Sequence, residues 1–420
     1  MKFIHAGDLH IDSPLDGLSA HPDAPAELLR TATRSAFTRL VDRAIEEKVA
    51  FVVFPGDIYD GDWTDFNTGY FFNRQMVRLK AEGIPVVLLR GNHDADNEMT
   101  KKLPLPDNVR TFGSARPETI VLDCAGVKVA LHGQSFRQKA VVTNLVPAYP
   151  APLAGHLNIG VLHTALEGYV AHPNYAPCTL DELRHKGYQV WCLGHVHEWA
   201  ILCEDPWIAF SGNLQGRHAR EPGPRGALMY TCDGGVVRRP ERLLVDVVRW
   251  AVAEVDITGA ATRDDAVARL GVVFERLLAE EADGRPLACR VVFTGKSAAH
   301  GALFGQGRTL RAEVVAQAIN SGGEIWVEKI KVESEPALTA AAIAERGDAM
   351  AAMQALLAQA AGDPAFMASL GEEFAVLLGK MPHELLEQDL PALRAARSGD
   401  FAAIIEAVVP SVLDRVAQEG

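Results

Sequence analysis

The sequence predicts an α/β protein: an α/β sandwich, a small α/β accessory domain and a helical C-terminal tail. Up to about residue 235, short apolar runs rich in β-forming residues alternate with helical stretches and turn signals, which is typical of layered α/β folds. A short helix–strand–helix–strand pattern follows, and after Pro336 the composition shifts to Ala, Leu and Glu. Because 420 residues are long for one domain, we expect two or three.

Six apolar runs in the first part predict strands, and two stretches with charged faces predict helices. The predicted strands comprise residues 2–6, 51–54, 85–89, 128–131, 157–162 and 189–193. The predicted helices comprise residues 27–48 and 67–82, in which apolar residues recur at helical spacing.

Residues 238–256 are predicted to run as a long strand-like connector into the accessory domain. The elements predicted there are a helix at 264–281, a strand at 290–294, a helix at 308–320 and a strand at 324–332. In the tail, apolar residues spaced three and four apart predict amphipathic helices. The predicted domains are 1–250, 251–335 and 336–420.

Composition places the chain among ordinary globular proteins, with 48% hydrophobic and 23% charged residues. Six scattered cysteines, no visible signal peptide and apolar runs too short for a bilayer predict a cytoplasmic protein without membrane contact. The net charge is −13; residues 1–250 carry 26 basic and 29 acidic residues, and residues 251–420 carry 15 and 25. Because the acidity lies mostly in the C-terminal part, net charge neither supports nor excludes a nucleic-acid substrate.

Metal-ligand side chains follow five of the apolar runs, usually directly after a glycine. The segments are Gly7-Asp8-Leu9-His10, Gly56-Asp57-Ile58-Tyr59-Asp60, Gly91-Asn92-His93-Asp94, Leu162-His163-Thr164 and Gly194-His195-Val196-His197. We expect these side chains to meet in one crevice at the carboxyl edge of the strands. Mixed carboxylate, amide and imidazole donors suit Mn, Fe, Zn or Co. Each motif alone is compatible with an ordinary turn, but the ordered set predicts a metal site.

Two divalent ions suit this donor set and the chemistry of a phosphodiester. Ions roughly 3.5–4 Å apart would place positive charge beside the attacking and leaving oxygens, and would lower the pKa of a bridging water. Asp57 is the predicted bridging carboxylate, and Asn92 supplies a neutral oxygen. His93 follows a ligand without a coordination role of its own, so we predict that it stabilises the transition state or protonates the leaving group. Asp60 or Asp94 could orient it.

The stretch 211–221 is rich in glycine and hydrogen-bond donors. Together with Arg225, Arg238, Arg239 and Arg242 it forms the densest basic region of the chain. Two interpretations stay open at this point: a face that grips phosphate groups, or a solvated loop.

The order of these motifs resembles the calcineurin-like metallophosphoesterase superfamily. Within it, the first 18 residues and the accessory domain resemble the bacterial SbcD-type DNA repair nucleases, and most closely the YhaO-like branch. The segments DLHIDSP (8–14), LHTALEG (162–168) and GNLQGRH (212–218) carry this likeness. The superfamily motifs extend from residue 1 to about residue 235.

The resemblance implies a four-layer sandwich, with two sheets flanked by helices. It assigns Asp8, His10, Asp57 and His197 to one ion, Asp57, Asn92, His163 and His195 to the other, and the catalytic role to His93. It also implies manganese, a DNA substrate and an SbcC-type coiled-coil ATPase as partner; whether the chain forms a homodimer stays open. Some relatives carry a second histidine in place of Asp60, so the choice between exonuclease and endonuclease behaviour is not predicted.

Two other functions remain compatible with the sequence. The chain could cleave a cyclic nucleotide or another small phosphodiester on the same metal site, although the accessory domain argues for a larger substrate. It could also be a non-catalytic scaffold that binds DNA or a protein, although the complete ligand set argues against that. Hydrolysis of DNA and of a small ester would separate the three.

Overall fold

The structure is a computed structural model that describes residues 1–15, 18, 25–61, 66–96, 103–124, 126–167, 175–303, 307–337, 343, 345, 348–381 and 391–419. The chain divides into two compact units. The first unit comprises Met1–Ala251 with Glu281–Ala288, and the second comprises Val252–Glu280 with Cys289–Gly420. The sequence-based division into three domains stays a prediction.

The first sheet of the first unit has 7 strands and contains the N-terminal apolar runs. Its strands are β1 (Lys2–His5), β2 (Phe51–Phe54), β3 (Val86–Leu88), β4 (Val109–Thr111), β11 (Gly226–Asp233), β12 (Val236–Val237) and β13 (Glu241–Leu244). The order is β12-β11-β1-β2-β3-β4, with β13 also on β11. Strands β1 to β4 run parallel, so β1, β2 and β3 end at the same edge.

The second sheet has 6 strands in the order β5-β6-β7-β8-β10-β9. Its strands are β5 (Glu118–Cys124), β6 (Val127–Gly133), β7 (Leu157–His163), β8 (Val190–Gly194), β9 (Ala200–Glu204) and β10 (Trp207–Phe210). Strands β7 and β8 are parallel and buried throughout, so their carboxyl ends also meet at one edge.

Helices cover the outer face of the first sheet. Helices α1 (Ala26–Glu46) and α2 (Asn67–Ala81) pack on it, and the ring of Phe37 stacks on that of Phe72 at 5.7 Å between centroids. A short helix α3 (Asn92–Asp96) follows β3 directly. Apolar residues at helical spacing therefore form the interface that the sequence predicts.

The two sheets share one core, and a further helix covers the second sheet. The shared core includes Phe3 and Val53 from the first sheet and Val161 and Cys192 from the second. Helix α4 (Leu180–His185) lies on the other side of the second sheet, with Leu183 in the core around Trp191 and Leu193. The order helix, sheet, sheet, helix confirms the predicted four-layer α/β sandwich.

The second unit contains a three-stranded sheet and the helical tail. Its elements are β14 (Arg249–Asp256), α5 (Arg263–Leu277), β15 (Leu287–Thr294), β16 (Lys296–Ser297), α6 (Gly307–Asn320), β17 (Ile325–Val332), β18 (Glu335–Pro336), α7 (Ala349–Ala361), α8 (Pro364–Gly379), α9 (Pro391–Ser398) and α10 (Phe401–Glu419). The first residues of β14 and of β15 belong to the first unit. The sheet order is β14-β15-β17. The predicted small α/β region and helical tail are confirmed as elements of the fold. Among the described residues, none of the helices is both long and apolar enough to span a bilayer.

The predicted connector at 238–256 is not one strand. Strand β13 belongs to the first sheet and β14 to the three-stranded sheet. Between them, the side chain of Gln215 accepts hydrogen bonds from the main-chain nitrogens of Val247 and Val248 at 2.9 and 3.2 Å. These contacts satisfy backbone groups that a continuous strand would pair with a neighbour, so the strand is interrupted.

Candidate metal centre

The residues predicted as ligands lie where five strands end. Asp8, Asp57 and Asn92 follow β1, β2 and β3 of the first sheet, while His163 ends β7 and His195 follows β8 of the second. All five are buried. The shared edge of the two sheets thus brings together side chains that are far apart in sequence, as the strand-end motifs predict.

The first group of donor atoms comes from Asp8, His10 and His197. One ligand-type atom from each of the three residues lies within 4.8 Å of the other two. The Nε2 atoms of His10 and His197 are only 3.0 Å apart. The ring of His197 is fixed from behind by Glu221, whose Oε1 accepts a hydrogen bond from Nδ1 at 2.7 Å.

The second group comes from Asp57, His163 and His195, again within 4.8 Å of one another, with Asn92 beside them. Nδ1 of His163 donates to the main-chain oxygen of Pro55 at 2.9 Å. In the neutral ring, Nε2 therefore faces the site as an acceptor, 2.9 Å from Oδ1 of Asn92 and 3.4 Å from Oδ2 of Asp57.

Asp57 lies between the two groups. Its Oδ2 is 3.4 Å from Nε2 of His163 and 4.0 Å from Nε2 of His10. Its Oδ1 accepts a hydrogen bond from the main-chain nitrogen of His93 at 3.1 Å. This carboxylate is thus within reach of imidazoles from both groups, as its predicted bridging position requires.

This donor set fits divalent cations. When their rings are neutral, Nε2 of His197 and Nε2 of His163 each point a lone pair at another acceptor, because Glu221 and Pro55 hold the proton on Nδ1. Buried acceptors that converge without a donor repel one another, and a proton or a cation among them removes that repulsion. Two carboxylates, one amide oxygen and four imidazoles are ligands for a borderline divalent ion.

The pKa values of the buried groups follow the same electrostatics. Burial raises the pKa of Asp8 to about 6 and lowers that of His10 to about 3. For His163, burial alone would lower the pKa, but the negative charges of Asp57 and Asp8 outweigh it and raise the pKa to about 9. Burial would raise the pKa of Asp57, yet the nearby imidazoles hold it well below its usual range. The second donor group, around Asp57 and His163, therefore favours positive charge.

The backbone at these positions is strained. Asp8, His10, Asp57 and His195 have positive φ angles of 51°, 41°, 52° and 100°. Such conformations cost about 1–3 kcal/mol each for residues other than glycine. Neighbouring segments impose them: the nitrogen of His10 donates to the oxygen of Asp57 at 3.1 Å, and the nitrogen of His195 donates to both oxygens of Asp8 at 2.9 and 3.0 Å.

Gly91 gives a test of how tightly this region is packed. A Cβ atom there would lie 2.2 Å from Oδ1 of Asp57 and 2.8 Å from Cε1 of His163. We expect Gly91→Ala to lower the free energy of unfolding by about 1–3 kcal/mol and to reduce bound metal, measured by thermal melting and elemental analysis. Gly113→Ala is the control, because its Cβ would meet Oε1 of Glu118 at 3.4 Å. Unchanged metal content in Gly91→Ala would contradict the close packing around Asp57.

His93 has Asp60 as its carboxylate neighbour, at 3.5 Å between Nδ1 and Oδ1. The imidazole is partly exposed and packs edge-on against the ring of His10 at 5.1 Å. Of the two residues expected to orient it, Asp94 does not do so. The buried Asp94 carboxylate accepts hydrogen bonds from the main-chain nitrogens of Ile58, Tyr59 and Gly91 instead. Asp94 therefore holds the two ligand loops together.

The basic region around residues 211–225 is not a solvated loop, because most of its residues are buried. A role in gripping phosphate groups stays a prediction. Arg225 is buried and donates to the main-chain oxygens of His197 and Pro222. Arg217 lies 3.4 Å from Glu221 and 3.5 Å from Asp60 at the edge of the site. The region is therefore an inward-facing hydrogen-bonded network behind His197.

The more distant arginines of that region do not join this network into one surface. Arg238 and Arg239 pair with Asp233 and Glu204, and Arg242 lies over the ring of Trp199 at 4.6 Å. Glu221 was not among the residues predicted from the sequence. The only signal was a lone carboxylate in an otherwise basic stretch, too weak to indicate its position behind a ligand histidine.

Comparison with known proteins identifies the family. A family model described as calcineurin-like phosphoesterase matches residues 1–199, and one described as the middle domain of metallophosphoesterase YhaO matches residues 250–335. The uncharacterized metallophosphoesterase YhaO of Bacillus subtilis (strain 168) is 31% identical over 297 residues, which are 70% of this chain and 72% of that protein. The chain belongs to the calcineurin-like metallophosphoesterases. It is therefore a metal-dependent hydrolase by family.

Other relatives of this metallophosphoesterase are named as DNA repair proteins. The DNA double-strand break repair protein Mre11 of Methanopyrus kandleri is 26% identical over 214 residues, 47% of this chain and 44% of that protein. Mre11 of Sulfurisphaera tokodaii is 24% identical over 175 residues, 38% of this chain and 42% of that protein. The chain thus spans less than half the length of both. The chain is also similar to a dimetal phosphatase structure from Danio rerio, with 12% identity and a TM-score of 0.33 over 59% of this chain and 98% of that one.

Proposed function

We propose that the chain hydrolyses phosphodiester bonds in DNA with the help of two divalent metal ions. The position of Asp57 between two groups of imidazole and carboxylate donors is the observation that carries this proposal. A single-ion site would not need a buried carboxylate within reach of both groups.

The residues that would hold the ions follow from the two groups. One ion would take Asp8, His10, Asp57 and His197, and the other Asp57, Asn92, His163 and His195. We propose manganese, with iron, zinc and cobalt as the other ions suited to these donors. Bound ions would activate a water molecule for attack and neutralise charge on the phosphate.

The chain itself would supply positioning and a proton. Asp57 holds the two donor groups at a fixed separation, because its Oδ1 accepts a hydrogen bond from the main-chain nitrogen of His93. His93 is close to both groups but partly open to solvent, so its imidazole can reach a bound phosphate and give a proton to the leaving oxygen. Asp60 orients that imidazole through Nδ1.

DNA is the proposed substrate because relatives with this catalytic region are named as DNA double-strand break repair proteins. The charge distribution allows it: the first 250 residues are nearly balanced, with 26 basic and 29 acidic residues. Several of those carboxylates belong to the metal site, where cations would neutralise them. The surface that meets DNA is then less acidic than the formal charge indicates.

The direct test is hydrolysis of labelled linear duplex and single-stranded DNA by the full chain with Mn²⁺, beside bis-p-nitrophenyl phosphate. We expect cleavage of both DNA and the small ester, and none after chelation with EDTA. His93→Asn, purified in the same way, controls for contaminating nucleases. Cleavage of the small ester alone would favour a small phosphodiester substrate, and DNA binding without any hydrolysis would favour a scaffold.

A coiled-coil ATPase of the SbcC type is the proposed protein partner, and the tail is its proposed docking region. Apolar side chains there are exposed, including Leu356 of α7 and Leu377 of α8 at 61% and 53%. We expect the double variant Leu356→Glu with Leu377→Glu to lose ATPase binding in a pull-down while ester hydrolysis is unchanged. Val272→Glu, at a 70% exposed position of α5, is the matched control. Undiminished binding by the double variant would place the partner surface elsewhere.

A cytoplasmic location is also part of the proposal. All six cysteines are free and buried, and they form no disulfide. Reduced thiols are the rule in the cytosol.

A further inference from the structure

Glu221 is a buried carboxylate that stands behind the site, on the side of His197 away from the converging donor atoms. Only 6% of the residue is exposed. Its Oε1 is 2.7 Å from Nδ1 of His197, while Nε2 of the same ring is 3.0 Å from Nε2 of His10. The imidazole is thus held at one nitrogen by Glu221 and presents the other nitrogen to the first donor group.

The other contacts of Glu221 show that it is a charged acceptor. Its Oε2 accepts hydrogen bonds from the side-chain amide of Asn213 at 2.9 Å and from the main-chain nitrogen of Arg217 at 2.8 Å. The guanidinium of Arg217 is 3.4 Å from Oε1. Because each of these neighbours is a donor, the carboxylate is ionised. Nδ1 of His197 also lies 3.2 Å from Nη2 of Arg217, but its contact with the ionised Glu221 is shorter, at 2.7 Å, and places the proton on Nδ1.

A proton on Nδ1 has one consequence at the opposite side of the ring. It leaves the lone pair on Nε2, the atom directed at His10 and, in the same donor group, Asp8. An imidazole in the other tautomer would direct an N–H bond into the site and could not bind a cation there.

We propose that Glu221 is a positioning residue that fixes the tautomer and ring orientation of His197 and so sets the affinity of one of the two metal ions. This rests on the proposed two-ion function. A carboxylate that accepts a hydrogen bond from a ligand histidine also makes the metal-binding nitrogen of that ring more basic. Loss of such a partner typically lowers metal affinity about 10–100-fold.

The two ions should differ in how strongly they depend on side chains behind their ligands. His163, in the second donor group, is oriented by the main-chain oxygen of Pro55, which no side-chain substitution removes. The ion held by His197 depends on a charged side chain, and the ion held by His163 depends on a main-chain carbonyl. Neutralising Glu221 should therefore weaken one ion and spare the other.

The competing explanation is that Glu221 only secures the loop between Asn213 and Glu221. That role would change the stability of the metal-free chain without preference for either ion. Glu198→Gln is the matched control, because it makes the same charge change at an exposed position next to His197.

The experiment is calorimetric titration of the full chain with Mn²⁺, together with thermal melting without metal. We expect the parent chain and Glu198→Gln to bind two ions, and Glu221→Gln to bind one of them about 10–100-fold more weakly with the other unchanged. Glu221→Asp, which keeps the charge but shortens the side chain, should recover part of the lost affinity, and it replaces Glu221→Gln as the test if that variant does not fold.

Two results would overturn the inference while leaving the two-ion function intact: unchanged affinities in Glu221→Gln, or equal weakening of both ions with a lower melting temperature of the metal-free variant. A parent chain that binds no ion, or only one, would instead overturn the proposed function on which the inference rests.

Discussion

Asp57→Ala is expected to abolish hydrolysis and to lower the metal content by more than one ion per chain. The physical reason is the position of its carboxylate, with Oδ2 3.4 Å from Nε2 of His163 and 4.0 Å from Nε2 of His10. A ligand shared by two ions cannot be removed without weakening both, and the two positive charges then lose the carboxylate that screens their repulsion. Elemental analysis of the purified chain and ester hydrolysis with Mn²⁺ measure the two effects.

Asp123→Ala is the control for Asp57→Ala, because Asp123 is an exposed carboxylate of β5. It should keep both ions and full activity. If Asp57→Ala still binds one ion at full occupancy, the carboxylate does not bridge, and the assignment of ligands to the two ions must change.

His93→Asn is expected to keep both ions and to lower kcat by about 10²–10⁴-fold, if the imidazole acts as a general acid. The main-chain nitrogen of residue 93, which donates to Oδ1 of Asp57 at 3.1 Å, is retained in this variant, so the metal ligands should stay in place. The measurement is turnover of bis-p-nitrophenyl phosphate with Mn²⁺, together with metal content.

His156→Asn serves as the comparison, because His156 is partly exposed and its Nδ1 contacts the main-chain oxygen of Ala154. It should be indistinguishable from the parent chain. Loss of an ion in His93→Asn would assign His93 to the ligands, and full turnover would remove it from the reaction.

The sequence was sufficient to predict the sandwich and the place of the site. Runs such as β2 and β7 are mostly apolar and buried throughout because both faces of their sheets are covered, and such runs stand out from any neighbouring loop. The ligands follow those strands directly. Once the strands were identified, the meeting of Asp8 and Asp57 followed from the geometry of parallel strands, and His163 joins them because the second sheet packs against the first.

Other features of the fold and of the site could not be predicted, because they depend on exposed strands or on contacts between residues distant in sequence. Strand β5 is partly exposed, so it has no continuous apolar run to mark it. Whether Asp60 or Asp94 faces His93 depended on the paths of the segments that follow β2 and β3. Glu221 lies 24 positions after His197, and nothing in that spacing indicates a hydrogen bond between them.

The two sheets each contribute donors to the same site, and this has a consequence for unfolding. His10 and His197 meet although they lie 187 positions apart in the sequence. An ion held by both would act as a cross-link that closes a very long loop, much as a disulfide does in secreted proteins. It would bind the folded chain in preference to the unfolded one, so its binding free energy adds to the resistance of the sandwich to heat. Removal of the ions by a chelator would then lower the unfolding temperature of this protein as well as its hydrolytic activity.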